Sequence, residues 1–265
     1  MKKRFHKVSA AGNDFIIFDD RDGQYSLKET SRWRDLCQRR LGIGADGLIF
    51  VRSSERADVK MTYFNADGQE VAMCGNGLRS VVFYMNKCLH IKKTEYSIET
   101  MNGLYEATIK NDQIRVWMNE LYDIDRFDLD SLEYLKSFEI KRYLNTGVPH
   151  CVFQTSSIDK LDIIALGRRV RYDTLFAPEG CNSNFFEEIS PGILSMRTYE
   201  RGVEDETLAC GTGVVAVAWT YFQNYQGNIE VQMKGGTFKV EFIKNKLGAY
   251  LTGEVKLVYI GEVDF

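Results

Sequence analysis

The sequence lacks long blocks of charge of one sign and long apolar runs. Its 34 basic and 37 acidic residues are mixed along the chain and give a formal net charge of −3. A nucleic-acid-binding surface or a basic membrane-binding face concentrates basic residues, so we predict neither nucleic acid nor membrane as a partner. No apolar run approaches the roughly 18 residues typical of a transmembrane helix. We therefore expect a cytoplasmic protein.

Patterns that bind metals or cofactors are also missing. There is no Cys-x-x-Cys pair, and the three histidines, His6, His90 and His150, lie far apart in the sequence, which argues against zinc. No Walker lysine motif and no evident pyridoxal lysine occur. Residues 42–47 fit G-x-G-x-x-G, but they follow a predicted helix and precede a predicted strand, the reverse of the dinucleotide-binding order. We expect no cofactor, and we expect the six cysteines to be thiols.

The sequence does contain an internal repeat. Glu70–Gly77, with Cys74, is echoed by Glu206–Gly213, with Cys210, and the two cysteines are 210 − 74 = 136 positions apart. Two further matches occur in the same order at nearly the same offset: Ala11–Phe18 with Thr146–Phe153, and Ile98–Ala107 with Val231–Val240. Three ordered matches predict a duplication that produced two similar domains.

The pattern of elements is typical of an α/β (α+β) protein that is rich in strands. Alternating apolar residues predict most of these strands. Helices are predicted from Ser26 to Arg40, over Ile158–Val170, and in the apolar run after each repeated cysteine. We place the domain boundary near Asn119–Asp130, which gives domains at 1–119 and 120–259. Residues 260–265 are a candidate for packing on the first domain.

Each repeated cysteine precedes Gly-x-Gly at a predicted helix start. Free N–H groups and the positive end of the helix dipole favour a thiolate there, and the glycines let a carboxylate approach. Inverting a carbon centre needs a base on one face and an acid on the other, so a thiolate and a thiol suffice. A single cysteine in this setting is more often a small buried residue at a turn, but the duplication favours catalysis.

These residues resemble the diaminopimelate epimerases over essentially the whole chain. The motifs that carry the resemblance are Gly12–Phe15, Gly44–Gly47, Asn65–Gly68, Met73–Gly77, Pro149–His150, Asn182, Tyr199–Gly202 and Glu206–Gly213. The resemblance implies two pseudo-symmetric domains, each a curled, mostly antiparallel sheet around a central helix, with the site in the cleft between them. It also implies interconversion of LL- and meso-diaminopimelate, in the synthesis of lysine and peptidoglycan precursors.

The resemblance also implies roles for individual residues. Cys74 and Cys210 would be the acid and the base, and His150 and Glu200 would help to set their protonation. The implied substrate-binding residues are Asn13, Asn65, Asn182, Glu200 and Arg201, together with the backbone of Gly75, Asn76, Gly211 and Thr212. Taken singly, the asparagines at 65 and 182 fit ordinary turns or caps, and the pair at 200 and 201 fits a surface ion pair.

Departures from the family pattern leave alternatives open. The family's Gly-Asn-Pro-His is Gly-Val-Pro-His here, so Val148 replaces an amide that binds substrate. One alternative is therefore a racemase with the same chemistry and another amino-acid substrate, of the glutamate or proline type. Another is a non-catalytic carboxylate-binding protein. The resemblance also implies a homodimer. The remaining cysteines are interpreted as structural thiols: Cys37, Cys88, Cys151 and Cys181.

Overall fold

The computed structural model describes residues 2–111, 113–119, 121–124, 127–222 and 226–264. The chain forms two compact units. The first comprises Met1–Val116 and Gly253–Phe265, and the second comprises Trp117–Thr252. The predicted boundary between 119 and 120 includes position 120, which lies outside the described residues. The predicted boundary segment 119–130 also includes positions 125 and 126, which lie outside them too.

Strands dominate both units. They are β1 (Lys2–Ala10), β2 (Asn13–Asp20), β3 (Gly47–Arg52), β4 (Val59–Asn65), β5 (Glu70–Val71), β6 (Glu95–Thr100), β7 (Gly103–Lys110), β8 (Gln113–Met118), β9 (Tyr122–Asp123), β10 (Lys141–Asn145), β11 (Pro149–Gln154), β12 (Asn182–Ser190), β13 (Ile193–Glu200), β14 (Asp205–Thr207), β15 (Gly227–Met233), β16 (Gly236–Phe242), β17 (Ala249–Gly253) and β18 (Val255–Asp264). The α-helices are α1 (Thr30–Cys37), α2 (Gly75–Phe83), α3 (Ile163–Arg171) and α4 (Gly211–Phe222). Short 3-10 turns cover Leu129–Ser131, Glu133–Leu135, Ile158–Lys160 and Thr174–Phe176, and a π-helical turn covers Tyr84–Cys88. None of the helices in the described part of the chain is both long and apolar enough to cross a membrane.

The sheet of the first unit runs in the order β18-β1-β2-β3-β4-β6-β7-β8. Its pairs are antiparallel except β2 with β3 and β4 with β6, which are parallel. The short β5 pairs with β4. Helix α2 contacts β1, β2, β4 and β18, so the sheet curls around it. On the other face, α1 packs against β3 through an aromatic core that contains Trp33 and Phe50.

The second unit repeats this order of pairings. Its strands run β9-β10-β11-β12-β13-β15-β16, with parallel pairing only at β11 with β12 and β13 with β15. The short β14 pairs with β13, as β5 does with β4. Helix α4 contacts β10, β11, β12, β13, β15 and β16. The predicted α/β class and the predicted two similar halves are confirmed.

The helices after the two cysteines form as the sequence predicts, and both are enclosed. Helix α4 is buried from Val214 to Thr220 without interruption, which is typical of a helix that is surrounded by a sheet. Helix α2 is also buried over most of its length, and it continues into the π-helical turn at Tyr84–Cys88. The enclosure places the first turn of each helix, and therefore each cysteine, against its own sheet.

Two helix predictions were wrong in their bounds. Helix α1 begins at Thr30 rather than Ser26, because the Ser26 carbonyl accepts a hydrogen bond from the Glu29 N–H at 3.3 Å and forms a turn. The segment 158–170 is divided into a 3-10 turn and α3. The division occurs because the Asp162 side chain accepts from the Ala165 N–H at 3.0 Å and caps a new helix start.

Candidate active site

Cys74 is the residue immediately before α2, and its backbone is extended. The Gly77 N–H donates to its sulfur at 3.4 Å, and the sulfur lies 4.0 Å from Asn13 Oδ1 at the start of β2. The side chain is partly exposed. The first N–H groups of a helix have no partner within the helix, so the turn at Gly75 and Asn76 offers donors beside the sulfur.

Asn13 connects Cys74 to a network of polar groups. Its Oδ1 accepts from Asn76 Nδ2 at 3.0 Å, and its Nδ2 donates to Asp46 Oδ2 at 2.9 Å. Asn76 is almost fully buried, and its Oδ1 accepts from Arg79 Nη2 at 2.6 Å. The Asn13 and Asn76 side chains are therefore held by other groups of the protein.

A cluster of four charged residues lies beside the Asn13 amide nitrogen: Lys7, Asp14, Arg39 and Asp46. Asp14 lies 2.8 Å from Lys7 and 2.8 Å from Arg39, and Arg39 also contacts Asp46 at 2.5 Å. Lys7 donates to the Gly44 carbonyl as well. Burial alone would raise the pKa of Asp14, but the hydrogen bonds and charges of Arg39 and Lys7 outweigh burial and lower that pKa to about 2. Asp14 is therefore ionised at neutral pH.

Asn65 lies at the end of β4 and is bound locally. Its Oδ1 accepts from the Tyr63 hydroxyl at 2.6 Å. Its backbone forms a turn, with the Asn65 N–H donating to the Gln69 carbonyl and the Gly68 N–H donating to the Asn65 carbonyl. Asn65 as a whole is half-buried.

Cys210 immediately precedes α4, and it is 4% exposed. Its sulfur lies 3.6 Å from Thr212 Oγ1, and the Thr212 carbonyl accepts from Thr146 Oγ1 at 2.8 Å. A methyl group at Gly213 would come within 3.2 Å of the sulfur and 2.5 Å of Asn184 Oδ1. The glycine is thus required for the close packing of the helix start against the sheet.

His150 belongs to a fully buried polar layer in the second unit. Asn184 Nδ2 donates to the Cys151 carbonyl at 2.9 Å and lies 3.0 Å from His150 Nδ1. Asn184 Oδ1 accepts from Thr198 Oγ1 at 3.1 Å. Burial lowers the pKa of His150 to about 3, so its imidazole is neutral. Because Nδ1 accepts the amide hydrogen bond, Nε2 carries the proton.

The start of β12 and the end of β13 bring together three predicted substrate-binding residues: Asn182, Glu200 and Arg201. Asn182 is 3% exposed, its Oδ1 accepts from the Arg201 N–H at 2.8 Å, and its Nδ2 donates to the Pro149 carbonyl at 3.3 Å. Glu200 ends β13, and its carbonyl accepts from Glu204 N–H at 2.8 Å. The Arg201 guanidinium donates to the Glu179 carbonyl at 3.3 Å.

The structure thus assembles the predicted residues in two groups. In the first unit Asn13, Gly75 and Asn76 adjoin Cys74, whereas Asn65 bonds to Tyr63. In the second unit Gly211 and Thr212 form the first turn of α4 after Cys210, and Asn182 connects the ends of β11 and β13. Within the described ranges no group of three or more His, Cys, Asp or Glu side chains could hold a metal ion.

The sequence reasoning missed Arg79, Asn184 and Thr198 as parts of the two sites. Arg79 gave a usable signal, because a charged residue interrupts an otherwise apolar run that was predicted to be a buried helix. Asn184 and Thr198 gave none, since single polar residues in strands are common on exposed faces.

Comparisons with known proteins agree with this geometry. The family model described as diaminopimelate epimerase matches residues 5–122 and 142–258. The diaminopimelate epimerase of Flavobacterium psychrophilum is 36% identical over 97% of this chain and 98% of its own length. The enzyme of the same name from Chlorobaculum tepidum is 39% identical over 97% of this chain and 99% of its own. That of Archaeoglobus fulgidus is 37% identical over 98% and 96%.

Solved structures show the same fold at low identity. A PhzF-family phenazine biosynthesis protein of Bacillus anthracis superposes with a TM-score of 0.76 and 17% identity, covering 100% of both chains. A probable proline racemase of Agrobacterium radiobacter K84 superposes with a TM-score of 0.71 and 14% identity, covering 99% of this chain and 93% of its own.

Proposed function

Because the chain belongs to the diaminopimelate epimerase family and is an isomerase of the epimerase type, we propose that it interconverts LL- and meso-diaminopimelate without a cofactor. The observation that carries the proposal is the repeated cysteine: Cys74 and Cys210 hold equivalent positions, each just before the enclosed helix of a unit with the same order of strand pairings. On this proposal the enzyme serves the synthesis of lysine and peptidoglycan precursors.

The proposed reaction is a transfer of two protons at one carbon. The thiolate of one cysteine removes the α-proton and becomes a thiol, and the thiol of the other cysteine donates its proton to the opposite face and becomes a thiolate. The mechanism requires both sulfurs to reach the same α-carbon. Negative charge that develops on the substrate carboxylate would be stabilised by N–H groups of Gly75, Asn76, Gly211 and Thr212.

The neighbouring side chains would support this transfer. A neutral His150 with its proton on Nε2 can donate a hydrogen bond, but it does not take up a proton from solvent near neutral pH. Glu200 would help to set the protonation of a thiol. Asn13 would act mainly by positioning the Cys74 sulfur, because its own amide is already bound by Asn76 and Asp46.

The far end of the substrate carries a second ammonium and a second carboxylate. Asn65, Glu200 and Arg201 would hold that end, since a carboxylate suits the ammonium and a guanidinium suits the carboxylate. Asn182, predicted as a fourth binding residue, would act mainly by positioning Arg201, because both atoms of its amide are bound by backbone groups. Support for this assignment is the Asn182 amide, which fixes the backbone of Arg201 at 2.8 Å and so orients both charged residues.

The proposal is tested by incubating the reduced protein with LL-diaminopimelate in deuterium oxide. We expect deuterium at the α-carbon and formation of the meso isomer. Replacing either reactive thiol, by Cys74→Ala or Cys210→Ala, should lower the epimerisation rate by at least about a thousandfold. Cys88→Ala is the matched control, because that thiol is partly exposed and outside the proposed site, and it should keep full activity.

Two results of this assay would reject the proposal. Full epimerisation by a folded variant that lacks one reactive thiol would contradict the two-cysteine mechanism. Tight binding of diaminopimelate with no exchange of solvent deuterium would instead support the non-catalytic carboxylate-binding alternative.

A second candidate is a racemase for another amino acid, of the glutamate or proline type. Val148 motivates it, because a valine at this position cannot hydrogen-bond a substrate as the family asparagine would. The same exchange assay with glutamate, proline and diaminopimelate distinguishes the candidates. Turnover of glutamate or proline equal to that of diaminopimelate would favour the racemase.

We also propose that the protein is a cytoplasmic homodimer. Reduced thiols suit that compartment. Four consecutive apolar residues of β18 support a dimer, because they are 39–51% exposed: Leu257, Val258, Tyr259 and Ile260. Light scattering should give twice the monomer mass of 30.5 kDa, and Val258→Glu should yield a monomer. A wild-type monomer at micromolar concentration would contradict the dimer.

A further inference from the structure

A charged residue is fully enclosed beside Cys74. Arg79 lies in α2 and is 0% exposed. Its guanidinium bends back toward the helix start, where Nη1 donates to the Gly75 carbonyl at 3.3 Å and Nη2 donates to Asn76 Oδ1 at 2.6 Å. Burial lowers the pKa of Arg79 to about 10, and the Cys74 sulfur opposes that change. The guanidinium is therefore still protonated at neutral pH.

Hydrogen bonds connect this cation to the sulfur. Arg79 holds Asn76 Oδ1, Asn76 Nδ2 donates to Asn13 Oδ1 at 3.0 Å, and the Cys74 thiol, when protonated, donates to the same oxygen at 4.0 Å. That last contact is lost when Cys74 ionises, and the sulfur is then held by the Gly77 N–H at 3.4 Å. The order of bonds fixes the orientation of both amides, since each oxygen must face a donor. A buried cation whose guanidinium contacts the first turn of the helix adds its field to the helix dipole and to the Gly77 N–H.

The other charges near the start of α2 largely cancel one another. Lys7 from β1 and Arg39 are paired with Asp14 from β2 and with Asp46. Tyr63 of β4 donates to Asn65, His6 of β1 packs on Tyr84 beyond the far end of the helix, and Lys256 of β18 is exposed.

The second unit has a different residue at the equivalent position. At the offset of 136 that relates the cysteines, Arg79 corresponds to Val215, which is buried in α4. The layer of the sheet beside Cys210 is polar but uncharged, with the neutral His150 and with Asn184 and Thr198. The corresponding layer of the first unit, at an offset of 135, consists of Phe15, Ile49 and Tyr63.

We propose that Arg79 is a positioning residue whose buried charge makes Cys74 the resting thiolate, while Cys210 rests as the thiol. On the proposed function the two sulfurs share one α-carbon, so the first thiolate to form raises the pKa of the other thiol. The enclosed cation then decides which of the two thiols ionises. With one enclosed cation on one side, the resting enzyme holds one thiolate and one thiol, as a transfer from one face to the other requires. The catalytic role of this difference between the two cysteines rests on the proposed two-cysteine function.

The test measures alkylation of each cysteine by iodoacetamide, a neutral reagent, as a function of pH, with mass spectrometry to identify the site. The pH midpoint is compared rather than the rate, because Cys210 is less exposed than Cys74. We expect the Cys74 midpoint to lie about one pH unit or more below that of Cys210. In Arg79→Met the Cys74 midpoint should rise by about one unit, so that alkylation near pH 6.5 slows about tenfold.

Three comparisons distinguish an effect of the Arg79 charge on the Cys74 midpoint from an effect of altered packing. Arg79→Lys should restore most of the Cys74 midpoint, and the Cys210 midpoint should not change in either variant. Ser80→Ala is the matched control, since Ser80 is a neighbouring buried residue that bonds to the Asn76 carbonyl at 2.9 Å but carries no charge. It should leave the Cys74 midpoint unchanged.

An unchanged Cys74 midpoint in folded Arg79→Met would overturn the inference. If that variant does not fold, the wild-type protein still decides, because a Cys210 midpoint at or below that of Cys74 would overturn it as well. Alkylation needs no turnover, so the outcome is distinguishable from a failure of the proposed function, which the deuterium assay reports.

Discussion

At the scale of single residues, Gly77 and Gly213 hold equivalent places in the two repeated motifs but have different surroundings. A methyl group at Gly213 would lie 2.5 Å from Asn184 Oδ1 and 2.9 Å from Met196 Cε. At Gly77 the nearest atom, at 3.3 Å, belongs to Cys74. The polar layer of the second unit therefore leaves less space beside its helix.

We predict that Gly213→Ala lowers the free energy of unfolding by about 1–3 kcal/mol, through overpacking. Gly77→Ala, the matched control, should change it by less than about 1 kcal/mol, because the better helix propensity of alanine offsets a milder contact. Chemical denaturation of both variants checks this. Equal stability losses in the two variants would contradict the difference in packing.

Asp14 gives a second residue-scale prediction, on pH. Its folded pKa of about 2 lies below the ordinary value of 3.8, so the ionised carboxylate stabilises the fold above about pH 4. This contribution is lost as the pH falls through the folded pKa. Asp14→Asn should therefore cost about 1–2 kcal/mol at pH 7, and the difference should shrink toward pH 2. Thermal melts across that range check it, and a difference that does not depend on pH would contradict the ionic origin.

At the scale of elements, the start of α3 depends on one side chain. Asp162 caps the helix through its bond to the Ala165 N–H at 3.0 Å. We predict that Asp162→Ala costs about 1 kcal/mol, as measured by urea denaturation, and that Asp162→Ser retains most of the stability. Equal stability of wild type and Asp162→Ala would show that packing alone sets this helix start.

The elements also show which features a sequence can predict. The helices after Cys74 and Cys210 were predictable, because apolar runs followed a repeated turn motif. The start of α1 was not, since Ser26 can either cap a helix with its side chain or close a turn with its carbonyl, and both choices use local bonds. The break before α3 was missed because helical spacing continues through Asp162.

At the scale of the whole molecule, the sequence predicted the duplication but not the difference between its halves. Arg79 is buried because a sheet curls around α2, and enclosure by distant strands leaves no local pattern. The polar layer of His150, Asn184 and Thr198 likewise forms only when three strands pair in one register. The candidate cysteines were therefore identified from the sequence, whereas the groups that distinguish their environments required the structure.

The strand β18 is distant in sequence from the rest of the first unit and pairs with β1 from Lys2 to Ala10. Gly261 packs on Phe5, which also contacts Tyr259. We predict that deleting residues 254–265 raises amide hydrogen exchange in β1 by at least about tenfold while β11 and β12 keep their protection. A Glu262→Ala variant, at an exposed position of the intact strand, is the control. Unchanged exchange in β1 after the deletion would contradict the prediction.

The late position of β18 has a consequence for synthesis on the ribosome. Translation delivers every residue of the second unit before it delivers the edge strand of the first. During synthesis the outer edge of β1 in the first unit therefore stays unpaired until β18 is made. By then every strand of the second unit has already been synthesised. The first unit is thus the first to be synthesised but the last to receive all of its strands.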